Sequence, residues 1–414
     1  MEALDFGFPV EIIREGDAEV VVPKLEAYKR GRWDYAPSKA PVFYNPRMKI
    51  CRDIAILVLQ SYRETVSRGL NVSEPLAGCG VRGIRFAKEV EDVESVYIND
   101  INEKACQMAR YNAQLNGLEE KIFVSNEDAN LFLSKHAAPK KRFDFIDIDP
   151  FGSPTSYLDS AVRALRDGGL IALTATDMAP LCGVYPKVAL RKYGGLSLRT
   201  EYSHEIAIRL LAGCLATTAA RHNVGIEVIF SHSTQHYARL YALVKYGSKK
   251  ADEALENMGY ILHCFKCFHR ETYEGILLMG REMKCPECGS LLKVAGPLWL
   301  GKIADKGFCA RLEERLKKSS LACISKEAAK LTSLIRNESS APITYYVIDK
   351  ICDKNNLPVP PLKGVIDDLI GMGYEASETH FHSRGLKTNA PATVVTEVIK
   401  KVLRGRHRPN FNYI

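Results

Sequence analysis

The sequence predicts an α/β fold: an open, doubly wound parallel sheet finished by an antiparallel hairpin, followed by a smaller α+β part. Three observations predict it. Short apolar, β-branched runs alternate with helical patterns from about residue 71 to residue 246. Two β-rich runs, 226–231 and 239–244, sit close enough to pair as a hairpin that closes the sheet. After residue 250 the pattern changes to two Cys-x-x-Cys pairs and then mixed sequence punctuated by Pro358, Pro360 and Pro361.

In chain order, residues 71–76 form a short strand that ends at a glycine turn, and 96–98 form the next, ending at Asn99-Asp100. Residues 102–116 read as a helix: Ala105, Met108, Ala109 and Leu115 recur near helical spacing, and Asn116-Gly117 stops it. A strand at 122–124 precedes a helix at 129–133, and 143–148 is an apolar strand broken only by aspartates. Residues 160–166 are helical, Gly168-Gly169 turns, and 170–175 is a further strand. Gly247-Ser248-Lys249-Lys250 reads as a linker, so the expected domains are 1–250 and 251–414.

The 414 residues suffice for two or three domains, and 46% hydrophobic with 26% charged residues is an ordinary globular composition. No run approaches the roughly 18 apolar residues of a membrane span, and the N-terminal residues lack the pattern of a secretory signal. Of 12 cysteines, four make the two pairs and eight are scattered, which favours metal binding and free thiols in a reducing, cytoplasmic interior. The formal charge of +8 is compatible with a polyanionic partner. Two basic segments suit phosphate contacts: Lys24, Lys29, Arg30 and Arg32 near the start, and Arg404, Arg406, His407 and Arg408 at the end.

Gly78, Gly80 and Gly83 match G-x-G-x-x-G between a strand and a helix, a turn that lets backbone approach a ligand. Alone this fits a dinucleotide as well as any other nucleoside cofactor. Asp100, at the end of the next strand, is placed to accept hydrogen bonds from ribose hydroxyls. Asp128 can hold an adenine amino group while the small Ala129 clears room for the ring; it can equally cap the helix that follows. Arg52 and Arg82 are candidate cations for a cofactor carboxylate or pyrophosphate.

The loop Asp149-Pro150-Phe151-Gly152 follows the strand 143–148 at the carboxyl edge of the sheet, where ligands gather. It resembles the D/N-P-P-Y/F loop of amino-methylating methyltransferases, and the hairpin-closed sheet resembles the class I methyltransferase fold. An exocyclic amine on a base is a poor nucleophile, because its lone pair is delocalised into the ring. Asp149 can accept an amine N–H and later the proton, and Phe151 offers a stacking face worth about 1–3 kcal/mol. Phe43, in Phe43-Tyr44-Asn45-Pro46-Arg47-Met48, is expected to fold over the pocket opposite Phe151. Cys264, Cys267, Cys285 and Cys288 have the spacing of a structural, closed zinc site in a zinc-ribbon-like insert spanning 264–288. His380 and His382 read as part of a surface strand with polar contacts.

Together, PVFYNPRM (41–48), CRD (51–53), GVRGIRFA (80–87), YIND (97–100), EDAN (127–130), DIDPFGSP (147–154), TATDMAPLCG (174–183) and GYEASETHFHSRGLKTNAP (373–391) span almost the whole chain. On these motifs the chain resembles the archaeal type of the tRNA guanosine-26 N2-dimethyltransferase family. The resemblance implies one, then a second, methyl transfer from S-adenosylmethionine to a guanine N2 amine in tRNA. It also implies that Arg52, Arg82, Asp100, Asp128 and Ala129 bind the cofactor, that Asp149 is catalytic, and that Phe43 and Phe151 hold the base. Cys51 departs from the residue expected before the arginine. No obligatory protein partner is implied. Two other readings stand beside this one: an amino-methyltransferase for another nucleic acid, such as adenine N6 in DNA, and a zinc-stabilised RNA-binding protein with a vestigial cofactor fold.

Overall fold

The computed structural model describes residues 5–29, 36–234, 236–275, 283–318 and 324–406. Of the basic residues singled out above, Arg30, Arg32, His407 and Arg408 lie outside the described residues.

A hairpin of β1 (Val10–Glu15) and β2 (Ala18–Pro23) precedes helix α1 (Lys49–Arg63). The main sheet then alternates β3 (Leu70–Glu74), α2 (Val81–Glu89), β4 (Val93–Asn99), α3 (Glu103–Leu115), β5 (Ile122–Ser125), α4 (Ala129–Lys135), β6 (Phe143–Ile148), α5 (Leu158–Ala164) and β7 (Leu165–Ala175). Helices α6 (Met178–Leu181), α7 (Pro186–Tyr193) and α8 (Ser203–Ala220) lead to the closing hairpin, β8 (Val224–Thr234) and β9 (Tyr237–Tyr246). The strand order is β5-β4-β3-β6-β7-β9-β8, with β9 antiparallel to both its neighbours. This is the hairpin-closed, doubly wound sheet that the sequence predicts. The chain winds one way from β3 and the other way from β6, so the carboxyl ends of these two adjacent strands flank the crevice where ligands bind in such sheets.

Local chemistry sets the boundaries. Asn102 caps α3 by accepting the Lys104 N–H, and Gly117, at φ 65°, turns the chain away. Two elements differ from the sequence reading. The Gly168-Gly169 turn is absorbed into β7 as a bulge, with the register jumping from Phe143–Leu165 to Phe145–Leu170. Residues expected as a linker instead start α9 (Ser248–Leu255), whose Ala251 and Ala254 are buried.

Beyond α9, β10 (Met258–His263), β11 (Arg270–Glu274) and β12 (Lys293–Trp299) form a sheet in the order β11-β10-β12. There follow α10 (Lys306–Lys318), α11 (Lys326–Glu338), β13 (Tyr346–Val347), α12 (Ile348–Asn355), α13 (Leu362–Gly371), β14 (Ala376–Thr379), β15 (His382–Thr388) and α14 (Ala392–Arg406). Three large apolar cores result. One lies against α1 to α3 and takes in Phe308, Leu312, Leu316 and Ile335 from α10 and α11. A second joins α5 and α8 to Leu298, Trp299, Tyr345 and Phe381. The third is internal to the C-terminal elements, around Ile348, Val365, Leu386 and Val395. The first two therefore hold residues from both sides of position 250.

Candidate active site and metal centre

The glycine turn sits at the carboxyl end of β3. Gly78 has φ 55°, and a Cβ there would stand 2.9 Å from the Phe43 carbonyl oxygen, so a side chain would push the segment bearing Phe43 away. Gly80, at φ 76°, lies against Ala109 and Ile98, which seats α3 and β4 tightly beneath the turn. Glu74 accepts the Gly83 N–H at 2.8 Å. Burial pushes the Glu74 carboxyl up to about 8, against the pull of Arg82.

Asp100 closes the turn from the next strand. Its Oδ2 accepts the Gly78 N–H at 2.8 Å and its Oδ1 accepts the Asn102 N–H at 2.9 Å. Each carboxylate oxygen still has acceptor capacity for a ribose hydroxyl. Asp128 is exposed and caps α4, with Oδ1 accepting the N–H groups of Asn130 and Leu131, and Ala129 behind it is buried. Asp128 thus performs the capping role weighed in the sequence, with Oδ2 outside both of those bonds.

Asp149 follows β6 with its side chain 21% exposed, enough for a ligand to reach it. Arg82 bridges Asp149 Oδ2 at 2.6 Å and Asp147 Oδ1 at 2.8 Å. From the hairpin, Arg239 grips Asp147 with both terminal guanidinium nitrogens, and Nη1 also donates to Thr174 Oγ1 at 2.6 Å. Arg82 and Arg239 are almost wholly buried, so each needs its carboxylate. Burial disfavours ionisation of Asp149, but Arg82 and Arg239 outweigh it and hold the carboxyl below its usual range. Asp149 is therefore an anion and an acceptor at neutral pH.

Phe43 and Phe151 meet edge to face, with centroids 4.7 Å apart, and Phe151 is 74% exposed. The two rings expected to face each other are thus in contact. Arg52 secures the strap that carries Phe43. Its Nε and Nη2 grip Glu15 at 2.6 and 2.7 Å, it donates to the Asn45 carbonyl at 3.2 Å, and it lies over the Tyr44 ring. Glu15 is held down to about 2: burial opposes ionisation, and Arg52 and Arg85 override it.

Sequence reading missed Asp147, Arg239 and Glu15. The signal was there for Arg239, a buried cation within the apolar run of β9, and for Asp147, a carboxylate in a strand buried along its whole length. Of the positions singled out, Gly78, Gly80, Asp100, Phe43, Phe151, Asp149 and Arg82 gather at one edge of the sheet. Asp128 and Ala129 stand after the neighbouring strand β5, and Arg52 stands behind the strap.

The four cysteines come together outside this crevice. The Sγ atoms of Cys264, Cys267, Cys285 and Cys288 all lie within 4.8 Å of one another. Zinc–sulfur bonds of about 2.3 Å in a tetrahedron place sulfurs roughly 3.8 Å apart, so the quartet fits zinc. The two halves are built alike. Cys264 N bonds His269 O as Cys285 N bonds Ser290 O, and the carbonyls of Cys264 and Cys285 accept from Phe268 and Gly289. Phe268 and Gly289 both have positive φ, 62° and 70°. His380, expected on a surface strand, is instead buried against Glu338 at the turn between β14 and β15.

A model of the N2,N2-dimethylguanosine tRNA methyltransferases matches residues 16–400. The tRNA (guanine(26)-N(2))-dimethyltransferase of Methanobrevibacter smithii is 41% identical over 95% of this chain and 98% of its own. The tRNA (guanine(26)-N(2)/guanine(27)-N(2))-dimethyltransferase of Aquifex aeolicus is 36% identical over 95% of this chain and 96% of its own. Among solved structures, Trm1 from Pyrococcus horikoshii in complex with S-adenosyl-L-methionine superposes with a TM-score of 0.81 at 34% identity, covering 94% of this chain and 99% of that one.

Proposed function

The chain belongs to the N2,N2-dimethylguanosine tRNA methyltransferase family, and we propose from that premise that it places one and then a second methyl on the N2 amine of guanosine 26 in tRNA. The observation that carries the reading is an anionic Asp149 at the carboxyl edge of the sheet, beside a pair of aromatic rings in contact. S-adenosylmethionine, when bound, supplies a methyl on a positively charged sulfur. The residues present fit it: a glycine turn with no room for a side chain at Gly78, and Asp100 with acceptor capacity to spare. Gly78, Gly80, Asp100, Asp128 and Ala129 would hold its nucleoside. Arg52 has five N–H donors, of which the bonds to Glu15 and Asn45 use four, so one remains for a carboxylate.

Phe43 and Phe151 clamp the guanine between them after it leaves the tRNA stack. Asp149 accepts one N2 hydrogen, which localises the nitrogen lone pair. It takes that proton as the new N–C bond forms and the donor's C–S bond breaks. Arg82 keeps Asp149 in place and charged. Cys264, Cys267, Cys285 and Cys288 would hold zinc as a structural ion, outside the chemistry.

We also propose the division into 1–250 as catalytic domain and 251–414 as tRNA-binding domain; the core internal to the C-terminal elements supports a unit there, and two shared cores pack it against the first domain. Among the described residues no helix is long and apolar enough to cross a membrane. The unpaired thiols favour cytoplasmic residence.

The test is transfer of labelled methyl from S-adenosylmethionine to unmodified tRNA transcript, with nucleoside analysis. N2-methylguanosine followed by N2,N2-dimethylguanosine at position 26 is expected, with none on duplex DNA. Asp149→Asn should lower kcat by about 10²–10⁴-fold and leave tRNA affinity within a few-fold. Label on adenine N6, or none on tRNA, overturns the reading.

A further inference from the structure

The chain between β7 and α8 carries a charge pattern that the chemistry of the pocket does not use. From Met178 to Thr200 there are four cations, Lys187, Arg191, Lys192 and Arg199, and no aspartate or glutamate. Lys192 pairs with Asp177 at 2.9 Å. Lys187, Arg191 and Arg199 are exposed and have no carboxylate partner among the described residues. On α5 and α9, by comparison, Arg163 is matched within a turn by Asp159 at 3.1 Å, and Lys250 by Glu253 at 2.8 Å. Two apolar side chains at the head of α7, Val184 and Tyr185, are also exposed.

This segment adjoins the catalytic loop. Gly152 donates to Thr176 Oγ1 at 2.7 Å and accepts from the Thr176 N–H at 2.9 Å, so the loop bearing Phe151 is stitched to the stretch that opens α6. Tyr193 of α7 turns back to bond Asp177, which holds α7 close to that seam. Gly183, at φ 87°, lies so near the chain at Arg199 that a Cβ would stand 2.2 Å from the Arg199 nitrogen. The backbone at residues 183 and 199 is thus in contact, and Arg199 joins the head of α7 in one patch.

We propose that Tyr185, Lys187, Arg191 and Arg199 form a lip that grips the phosphate backbone of the tRNA beside the target nucleotide. The inference rests on the tRNA reading above and gives that substrate a second point of attachment, next to the base clamp. The three cations neutralise backbone charge without reading sequence. Tyr185 supplies a stacking face for a nucleotide next to the flipped one. The seam that ties this segment to the loop bearing Phe151 explains how a base can be held out of its stack: the strand is pinned near the point where it is opened.

The test is direct binding of unmodified tRNA transcript to the full chain over a range of salt, with methyl transfer measured in parallel. The triple variant K187A/R191A/R199A should raise Kd about tenfold at 0.15 M salt and flatten the slope of log Kd against log salt by about 2–3. Tyr185→Ala should raise Kd about fivefold or more and leave the salt slope unchanged. All four side chains are exposed, so thermal stability and S-adenosylmethionine affinity should match the wild type. Unchanged Kd and salt slope in the triple variant overturn the lip, while wild-type methylation of tRNA leaves the function standing. A wild type that grips tRNA through these residues yet transfers no methyl overturns the function and leaves the lip.

Discussion

At Asp149, burial alone favours the neutral acid, and the carboxyl stays ionised because Arg82 and Arg239 stand behind it. The base form is therefore present throughout the neutral range and is lost only below the usual carboxylate range. Arg82→Gln removes the stronger of the two cations, so the acid limb of kcat/KM should move to higher pH, by comparison with wild-type profiles on the same tRNA. A limb that stays put would assign it to another group. Arg239→Met should cost about 3–5 kcal/mol of stability in denaturant unfolding, because it leaves Asp147 buried with only Arg82. Asp149 and Phe151 stand in one short motif and Phe43 in another, so the sequence alone could single them out as candidates. Arg239 and Asp147 were not, since they are 92 residues apart. Their pairing depends on β9 lying beside β7, with Arg239 opposite Thr174, and no local pattern announces that register.

The elements tell a similar story one level up. The cysteine spacing predicts a four-ligand centre, and the matching backbone turns at Cys264 and Cys285 deliver it. Ligand deletion should then act on this element and spare the chemistry. Cys285→Ser is expected to lower zinc content from one per chain and to lower the melting temperature, by metal analysis and calorimetry, with kcat on tRNA falling less than for Asp149→Asn. Unaltered zinc content and stability would remove the assignment. Where element reading failed, the reason is specific. A Gly-Ser-Lys-Lys stretch has turn chemistry, yet Ala251 and Ala254 provide a small apolar face that α8 and β8 can cover, and packing decided for a helix. Asp128 was ambiguous because an acid at a strand end and an acid at a helix start are the same residue here.

Across the whole molecule, the two sequence-proposed domains are locked by buried charge. Glu205 on α8 accepts from Lys387 on β15 at 2.8 Å, from Arg209 and from the Thr344 N–H. Burial opposes its ionisation, and Lys387 and Arg209 override it, holding it at about 2 against an ordinary 4.5. A depressed carboxylate stabilises the fold above its unfolded value and loses that contribution as pH falls through the folded one. The gap corresponds to about 3 kcal/mol, so unfolding free energy should fall between pH 4.5 and 2, and Glu205→Gln should flatten that slope. The chain-wide docking was invisible in the sequence, because Glu205 and Lys387 are 182 residues apart and look like ordinary helix and strand charges. That separation also has a meaning for biosynthesis. At roughly 5–20 residues per second, a ribosome that has just released α8 needs on the order of 10–40 s to deliver Lys387. During that interval Glu205 has Arg209 beside it but not its strand partner. The N-terminal half therefore waits with the Glu205 end of α8 short of one cation until β15, the last strand among the described residues, arrives to supply it.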